Sequence, residues 1–212
     1  QQYSNVVAVS EEHGGLGAQR ELSPFLTAAD EFTDPIANMA LSVDDDLCIM
    51  QATGEQRLVA GCVCSPSYWN LQSKIGKPLR HIHGPVISMN EKIGDPIERF
   101  INRAPLLQPF ERINWFIHGD SQRWHPVEEP LPQTPVATWH IRSERETLCR
   151  YSDEHLLFTI NTRFQPLAAI VDYPKAQADL RATLMNLDTD EVDYFGGPDK
   201  CEMLIGYLES LL

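Results

Sequence analysis

The sequence lacks the features that mark several common classes of protein. No run of Lys and Arg exceeds two residues, and 30 acids outnumber 17 bases in 212 residues, so the clustered positive charge that binds nucleic acid or an anionic membrane surface is missing. No apolar stretch approaches the roughly 18 to 20 residues of a membrane span, and the start has no secretory signal pattern. We therefore expect a cytoplasmic protein with no nucleic-acid or membrane partner. Because the chain begins with Gln1, the sequence leaves open whether residues precede it.

Recognisable cofactor motifs are missing as well. The sequence contains no GxGxxG or GxxxxGK phosphate-binding loop, no GxSxG nucleophile elbow and no HExxH metal motif. Its five cysteines are odd in number and lack the repeated CxxC spacing of an iron–sulfur protein, which favours reduced thiols. Any redox reaction would therefore need electrons supplied from elsewhere.

The charge that is present is unevenly distributed. The net charge is −13 at pH 7, of which residues 1–46 carry −8, residues 172–212 carry −6 and residues 47–171 carry +1. The acidity therefore belongs to the two ends. We interpret these ends as surfaces that face solvent or a basic redox partner.

Hydrophobic patterning predicts two β-hairpins, one further strand and several helices. The predicted strands cover residues 47–51, 57–64, 112–118, 139–151 and 156–164. Helix-start signals at Ser65-Pro66-Ser67 and Asp95-Pro96 predict a helical middle, and the chain after Asp172 is again helical. The fold class is therefore α+β.

This order of elements is typical of a PAS-type fold. Two strands, intervening helices and three returning strands form an antiparallel sheet whose helices cover one face and shape a ligand pocket. We expect residues 1–31 to form a partly ordered acidic arm and residues 32–212 to form a single PAS-like domain with a helical C-terminus.

The segment His81-Ile82-His83-Gly84-Pro85 presents imidazoles on a turn that Gly and Pro make rigid. An imidazole there is suited to haem iron, and with Cys62 and Cys64 upstream it also suggests a zinc site, although the spacing matches zinc poorly. Two structural histidines are the third alternative. The residues alone leave all three open.

Two predicted strands carry further candidates. On the first, Arg112 and Asn114 share a face and together would hold a carboxylate, or else form a solvated strand face. On the second, Arg142, Glu144 and Glu146 share one face and Arg145 lies on the other. Glu144 would pair with a neighbouring strand or bind a cationic amine. Asp44-Asp45-Asp46 precedes the first strand and is interpreted as a solvated charge run.

Six segments, taken in order over about residues 40–170, form a specific set. They are Asp45-Asp46-Leu47-Cys48; Cys64-Ser65-Pro66-Ser67-Tyr68-Trp69 with Lys74 and Gly76; Ile82-His83-Gly84-Pro85-Val86; Arg112-Ile113-Asn114-Trp115; Arg142-Ser143-Glu144-Arg145-Glu146-Thr147-Leu148; and Leu157-Phe158-Thr159-Ile160 through Pro166-Leu167. Together they resemble the haem-dependent oxidative N-demethylase family.

The resemblance implies a PAS-like fold that holds haem b through an axial histidine and, with O₂, oxidises a small secondary amine such as dimethylamine to a primary amine and formaldehyde. It also implies electrons from NADPH, delivered through a separate flavin and iron–sulfur partner, so the chain would be the haem subunit. His83 matches the Ile-His-x-Pro-Val motif of the family and is the implied iron ligand.

The remaining roles that the resemblance implies concern charge. Arg112, Arg145 and Lys74 are assigned to the haem propionates or the pocket charge, and Glu144 and Asn114 to orientation of the substrate. Two other functions stay open, namely a haem- or ligand-sensing PAS module and a structural subunit without cofactor. A homo-oligomer is also left open.

Overall fold

The computed structural model describes residues 35–84 and 87–211. The predicted acidic arm, residues 1–31, lies outside the described residues, and the division into an arm and one domain stays a prediction. Within the described part the α+β class is confirmed, because one five-stranded antiparallel sheet is combined with helices before, between and after its strands. No helix in these ranges is long and apolar enough to cross a membrane.

The sheet is built from two hairpins and one added edge strand, as the hydrophobic pattern predicts. The strands are β1 (Asp46–Gln51), β2 (Leu58–Cys62), β3 (Phe110–His118), β4 (His140–Arg150) and β5 (His155–Pro166). Their order across the sheet is β2-β1-β5-β4-β3, so β1 and β5 meet in the centre although more than 100 residues separate them in the chain.

The register of β3, β4 and β5 decides which side chains share a face. Arg112 lies opposite Glu146, Asn114 opposite Glu144, and Ile113 opposite Arg145. Because successive side chains alternate across a strand, the first two pairs point to one face of the sheet and the third pair to the other.

The helices between β2 and β3 differ from the prediction at their starts. They are α2 (Leu71–Lys74), α3 (Leu79–Ile82) and α4 (Ile87–Arg103), after a short α1 (Pro35–Ala40) that precedes the sheet. The predicted start near Ser65 is wrong, since Tyr68 has a φ of 59° that no α-helix accommodates, and Asn70 caps α2 instead.

The predicted helix start at Asp95 is also wrong. α4 begins at Ile87 and continues through Pro96, which forgoes one backbone hydrogen bond. Asp95 does not cap a helix because its carboxylate pairs with Arg80 of α3. The predicted end is close, since α4 stops at Arg103, just before Pro105.

The chain after β5 forms three helices, preceded by a 3₁₀ segment at Leu167–Asp172. These are α5 (Pro174–Met185), α6 (Thr189–Phe195) and α7 (Pro198–Ser210). Asp188 and Glu191 form a capping box that starts α6, and Gly196 at a φ of 113° ends it. The prediction of a helical C-terminus is confirmed.

Two apolar cores hold these layers together. The middle-helix cluster joins β1, β2 and β5 to the helices α3 and α4, and contains Cys48, Met50, Ala52, Leu58, Leu79, Ile101 and Leu156. The C-terminal cluster packs α5, α6 and α7 against the end of β3, and contains Ile117, Trp139, Leu167, Ile170, Leu184, Phe195, Cys201, Leu204 and Leu208. Burial of this apolar surface is the main force that docks both helical groups.

Candidate functional site

The face of β3 and β4 that carries Arg112 is occupied by paired charges. We call Arg112, Asn114, Arg142, Glu144 and Glu146 the charged face. Arg112 forms an ion pair with Glu146, whose side chain is 5% exposed. Burial raises the pKa of Glu146 above its usual value, although the hydrogen bond from Arg112 opposes the shift. These residues therefore form a partly desolvated site at which charge interactions are strong.

The His83 imidazole is affected by burial and by the positive charges of Arg112 and Lys74. Burial lowers the pKa of His83 to about 4, and the positive charges of Arg112 and Lys74 act in the same direction. The imidazole is consequently neutral at pH 7. The charges at positions 74 and 112 therefore act on His83 through space, and the roles that the resemblance implies for these residues stay predictions.

The turn that carries His83 is fixed by its neighbours. The backbone N–H of His83 donates to Leu79 O at 3.0 Å, and Lys74 Nζ donates to Ile82 O at 3.2 Å. Arg80 pairs with Asp95 and Glu98 and so joins α3 to α4. A shallow depression beside the turn is lined by Leu79, Arg80, His83, Gly94, Ile97 and Glu98.

Glu144 is held by two neighbours on the charged face. Its Oε1 accepts from Arg142 Nε at 2.7 Å and its Oε2 accepts from Asn114 Nδ2 at 3.3 Å. The other amide atom of Asn114, Oδ1, accepts from Trp115 N at 2.9 Å. The Asn114 amide is therefore engaged within the protein.

Arg145 lies apart from this group. Its side chain is 45% exposed, pairs loosely with Glu111 at 4.0 Å and belongs to the sheet face opposite Glu144. The implied role of Arg145 in cofactor binding stays a prediction. The role of pocket cation is supported better for Arg112 and Lys74, because the charges of both act on His83.

The aspartate run before β1 has a structural role. Asp45 accepts from Thr159 Oγ1 at 3.1 Å and from Asn161 Nδ2 at 2.6 Å, and Asp46 is buried and accepts from the backbone of Cys64 at 2.7 Å and Ser65. These bonds attach β1 to β5 and to the turn after β2. The expectation that the run is solvated is therefore wrong for these two residues.

The zinc alternative receives no support from the side chains that the structure describes. Cys62 and Cys64 do not converge with His81 and His83 on a common point in that part of the chain. Of the two cysteines, Cys62 is half-buried and Cys64 is exposed.

Sequence reasoning missed several residues of the site. Arg142 was only placed on a strand face, yet it is 1% exposed and donates to Glu144, Ser65 O and Thr162 Oγ1. Tyr194 of α6 approaches the same face, and partial burial with the charges of Glu144 and Glu146 raises the pKa of its phenol. The alternation of side chains along β4 predicts that Arg142 lies on this face. No local pattern predicts the position of Tyr194, because its approach to Glu144 and Glu146 depends on how α6 packs against the sheet.

A family model supplies the remaining observation. The model described as haem-dependent oxidative N-demethylase, alpha subunit-like, matches residues 11–202. The chain belongs to this family. The family description names an oxidative enzyme, dependence on haem and a subunit of a larger assembly. A comparison with curated proteins gave no match.

The residues around His83 fit a haem group in their chemistry. A neutral imidazole has a lone pair to give to iron, and haem iron in proteins is commonly held by histidine. Lys74 and Arg112 provide two cations beside it, which suit the two propionates. The members of this donor set thus agree with the family description.

Proposed function

We propose that the chain is the haem-binding subunit of an oxidative N-demethylase that acts on a small secondary amine of the dimethylamine type. In the overall reaction the amine, O₂, two electrons and two protons give a primary amine, formaldehyde and water. Bound haem b would supply the chemistry that oxidises the N-methyl carbon. We also infer that the domain is PAS-like, which the strand order β2-β1-β5-β4-β3 supports.

The observation that carries the proposal is the environment of His83. Burial makes its imidazole neutral at pH 7, and the positive charges of Lys74 on α2 and Arg112 on β3 act on it in the same direction. His83 would hold the iron, and Lys74 and Arg112 would meet the propionates. Because Arg112 also pairs with the buried Glu146, its guanidinium has a defined position before any ligand binds.

Glu144 is the acceptor that the proposal assigns to the substrate ammonium. Its side chain is 12% exposed, so the carboxylate can be reached while remaining shielded from most water. Arg142 and Asn114 fix the carboxylate, which reduces the entropy lost when an amine binds. Asn114 is thus proposed as a positioning residue.

Electrons would come from another protein. The sequence holds no nicotinamide or flavin motif, and the family description calls the chain alpha subunit-like. We propose NADPH as the source and a flavin and iron–sulfur partner as the carrier. The acidic C-terminal segment, residues 172–212, would offer such a partner a negatively charged docking surface.

An absorption spectrum tests the cofactor assignment. The full chain, produced with ample haem, is expected to show a Soret band, and His83→Ala to lose or shift it because the iron ligand is removed. His81→Ala is the matched control, since His81 lies two residues away and is exposed. A chain that binds no haem, or a His81→Ala spectrum altered as strongly as that of His83→Ala, would contradict the proposal.

Formaldehyde release tests the reaction. With NADPH, a reductase system and dimethylamine, the haem-loaded chain is expected to release formaldehyde. Glu144→Gln is expected to raise KM for the amine about tenfold or more while the Soret band stays, because only the ammonium partner is lost. Haem binding without formaldehyde would favour a sensing module, and an unchanged KM would remove Glu144 from the substrate site.

A further inference from the structure

A second group of ligand-type side chains lies in the loop between β3 and β4, away from His83. Asp120, His125 and Glu129 each offer one oxygen or nitrogen, and these atoms lie within 4.8 Å of one another. The three residues belong to the proline-containing segment that joins these two strands. Neither the charged face nor the proposed reaction uses them.

The loop holds His125 in a fixed place. The backbone of His125 accepts from Tyr68 N at 2.8 Å and donates to Pro66 O at 3.3 Å, so the loop is tied to the segment after β2. The ring is 2% exposed and lies 4.6 Å, centroid to centroid, from the ring of His118. The carboxylates of Asp120 and Glu129 are 45% and 43% exposed. The cluster therefore has a buried nitrogen side and a side open to solvent.

The two ring nitrogens of His125 differ in hydrogen bonding. Nδ1 lies 2.8 Å from Glu129 Oε1 in a hydrogen bond, which requires the proton to sit on Nδ1 because a carboxylate only accepts. Nε2 lies 3.3 Å from Asp120 Oδ1 but makes no hydrogen bond. A buried ring nitrogen without such a partner is costly and calls for an explanation.

The distance between Nε2 and Oδ1 suits two ligands of one metal ion. Zinc binds nitrogen and oxygen at about 2.0 to 2.2 Å, so two ligands at tetrahedral angles are about 3.4 Å apart. In the tautomer that Glu129 selects, the lone pair of Nε2 and the anionic oxygen of Asp120 face each other, which is repulsive unless a cation lies between them. Gln122 N donates to Asp120 Oδ1 at 2.8 Å and helps to fix the carboxylate.

We propose that Asp120 and His125 bind a divalent transition-metal ion of the zinc type through Oδ and Nε2, with Glu129 orienting the imidazole. This arrangement of carboxylate, histidine and metal recurs in metal sites, where the outer carboxylate fixes the tautomer and raises the basicity of the ring. Water would complete the coordination on the exposed side. The ion would hold Asp120 and His125 together within the loop, and the site is independent of haem.

Zinc binding by the full chain tests the site. After treatment with a chelator, the protein is titrated with Zn²⁺ in competition with a chromogenic indicator, and haem iron is measured separately. We expect one zinc per chain at the cluster. Asp120→Asn is expected to weaken its binding at least tenfold because it loses a ligand charge, and Glu129→Gln about tenfold because it loses the orienting carboxylate.

Glu128→Gln is the matched control. Glu128 is exposed, lies next to Glu129 and loses the same charge, so zinc affinity is expected to stay within twofold. Replacement of zinc by Co²⁺ is expected to give a d–d spectrum without a sulfur-to-metal band. A sulfur band, equal affinities of the wild type and Asp120→Asn, or no zinc binding at all would overturn the proposal.

Discussion

The charged face and the C-terminal cluster lie on neighbouring parts of the same sheet but differ in what holds them. In the C-terminal cluster, side chains such as Leu204 and Leu208 are fully buried and contact other apolar groups. On the charged face, Glu146 and Arg142 are nearly as buried yet carry charge, and each needs a partner to offset its desolvation.

The two regions therefore differ in role: the C-terminal cluster stabilises the fold, and the charged face provides the charges of the candidate site. Apolar burial is favourable without any particular partner, so the C-terminal cluster stabilises the fold and contributes no reactive group. Buried charges gain little net stability and depend on geometry. Beside the charged face, burial keeps His83 neutral, and the charges of Arg112 and Lys74 act in the same direction. Substitutions in the first region should therefore change unfolding alone, and those in the second should change both unfolding and ligand binding.

The largest effect is expected from Leu204→Ala. Leu204 is 0% exposed in α7, so its truncation leaves a cavity and should lower the free energy of unfolding by about 3 kcal/mol. Urea denaturation measures the loss, and the haem affinity of the folded fraction should be unchanged. Met203→Ala is the neighbouring control and, at 37% exposure, should cost far less. A loss of haem binding by folded Leu204→Ala would break the comparison.

Arg112→Met should have a smaller effect on stability but should also change the site. It leaves the buried Glu146 without its cation, which should lower the free energy of unfolding by about 2 kcal/mol. It also removes a positive charge from the surroundings of His83, so haem binding should weaken. Denaturation and haem titration check the two effects, and a change in stability alone would argue that Arg112 is purely structural.

The pH dependence of stability tests the apolar character of the C-terminal cluster, because the Lys200 amine lies in apolar surroundings there. Its Nζ donates to Ile117 O at 2.6 Å and lies over the rings of Phe116 and Phe195, and burial lowers its pKa from 10.5 to about 8. Because the folded pKa is lowered, the unfolded chain binds more protons between these values. The free energy of unfolding should therefore rise with pH in that window, and the benefit is absent below it.

The expected rise is about 1 kcal/mol between about pH 7.5 and 9, measured by urea denaturation as the difference between wild type and Lys200→Met. Burial lowers the pKa of His118 to about 3, so His118 stays neutral. Burial raises the pKa of the Cys201 thiol, so this group opposes the rise as the unfolded thiol ionises, but both proteins contain it and the difference between them removes its contribution. Parallel stability curves for the two proteins would show that the Lys200 amine does not titrate there.

The smallest effect is expected from Arg145→Met. This change removes the same charge as Arg112→Met, but from the opposite, exposed face of the sheet, so stability should change by less than about 0.5 kcal/mol. Haem affinity should match that of the wild type. A clear loss of haem affinity would restore the role that the family resemblance implies for Arg145.

Much of the fold was predictable because strand signals are local. The alternation in β4 and β5 and the turn between them predict the hairpin, and the same alternation places Glu144 and Arg145 on opposite faces. Two helix starts were predicted wrongly because the residues concerned serve tertiary contacts. Asp95 pairs with Arg80 instead of capping a helix, and Tyr68 adopts a positive φ beside His118 and His125.

The candidate site was only partly predictable. The motif around His83 pointed to that residue, and the resemblance added Lys74 and Arg112. The sequence pattern alone could not show that the charges of Lys74 and Arg112 act on His83. Arg142 and Glu146 appeared only as members of a strand face, because nothing local distinguishes a buried ion from a solvated one. The cluster at His125 gave no sequence signal, since its ligand-type residues are spaced irregularly in a loop.

The sequence by itself determined the strands, the helical C-terminus, the distribution of charge and the family, because each depends on residues close together in the chain or on motifs in order. The tertiary structure alone decided which charges are buried and paired. That decision depends on the register of β3 against β4 and on the docking of α3, α4 and α6 around the sheet. Desolvation and Coulomb energies act through space, so residues far apart in the chain set the protonation state of His83.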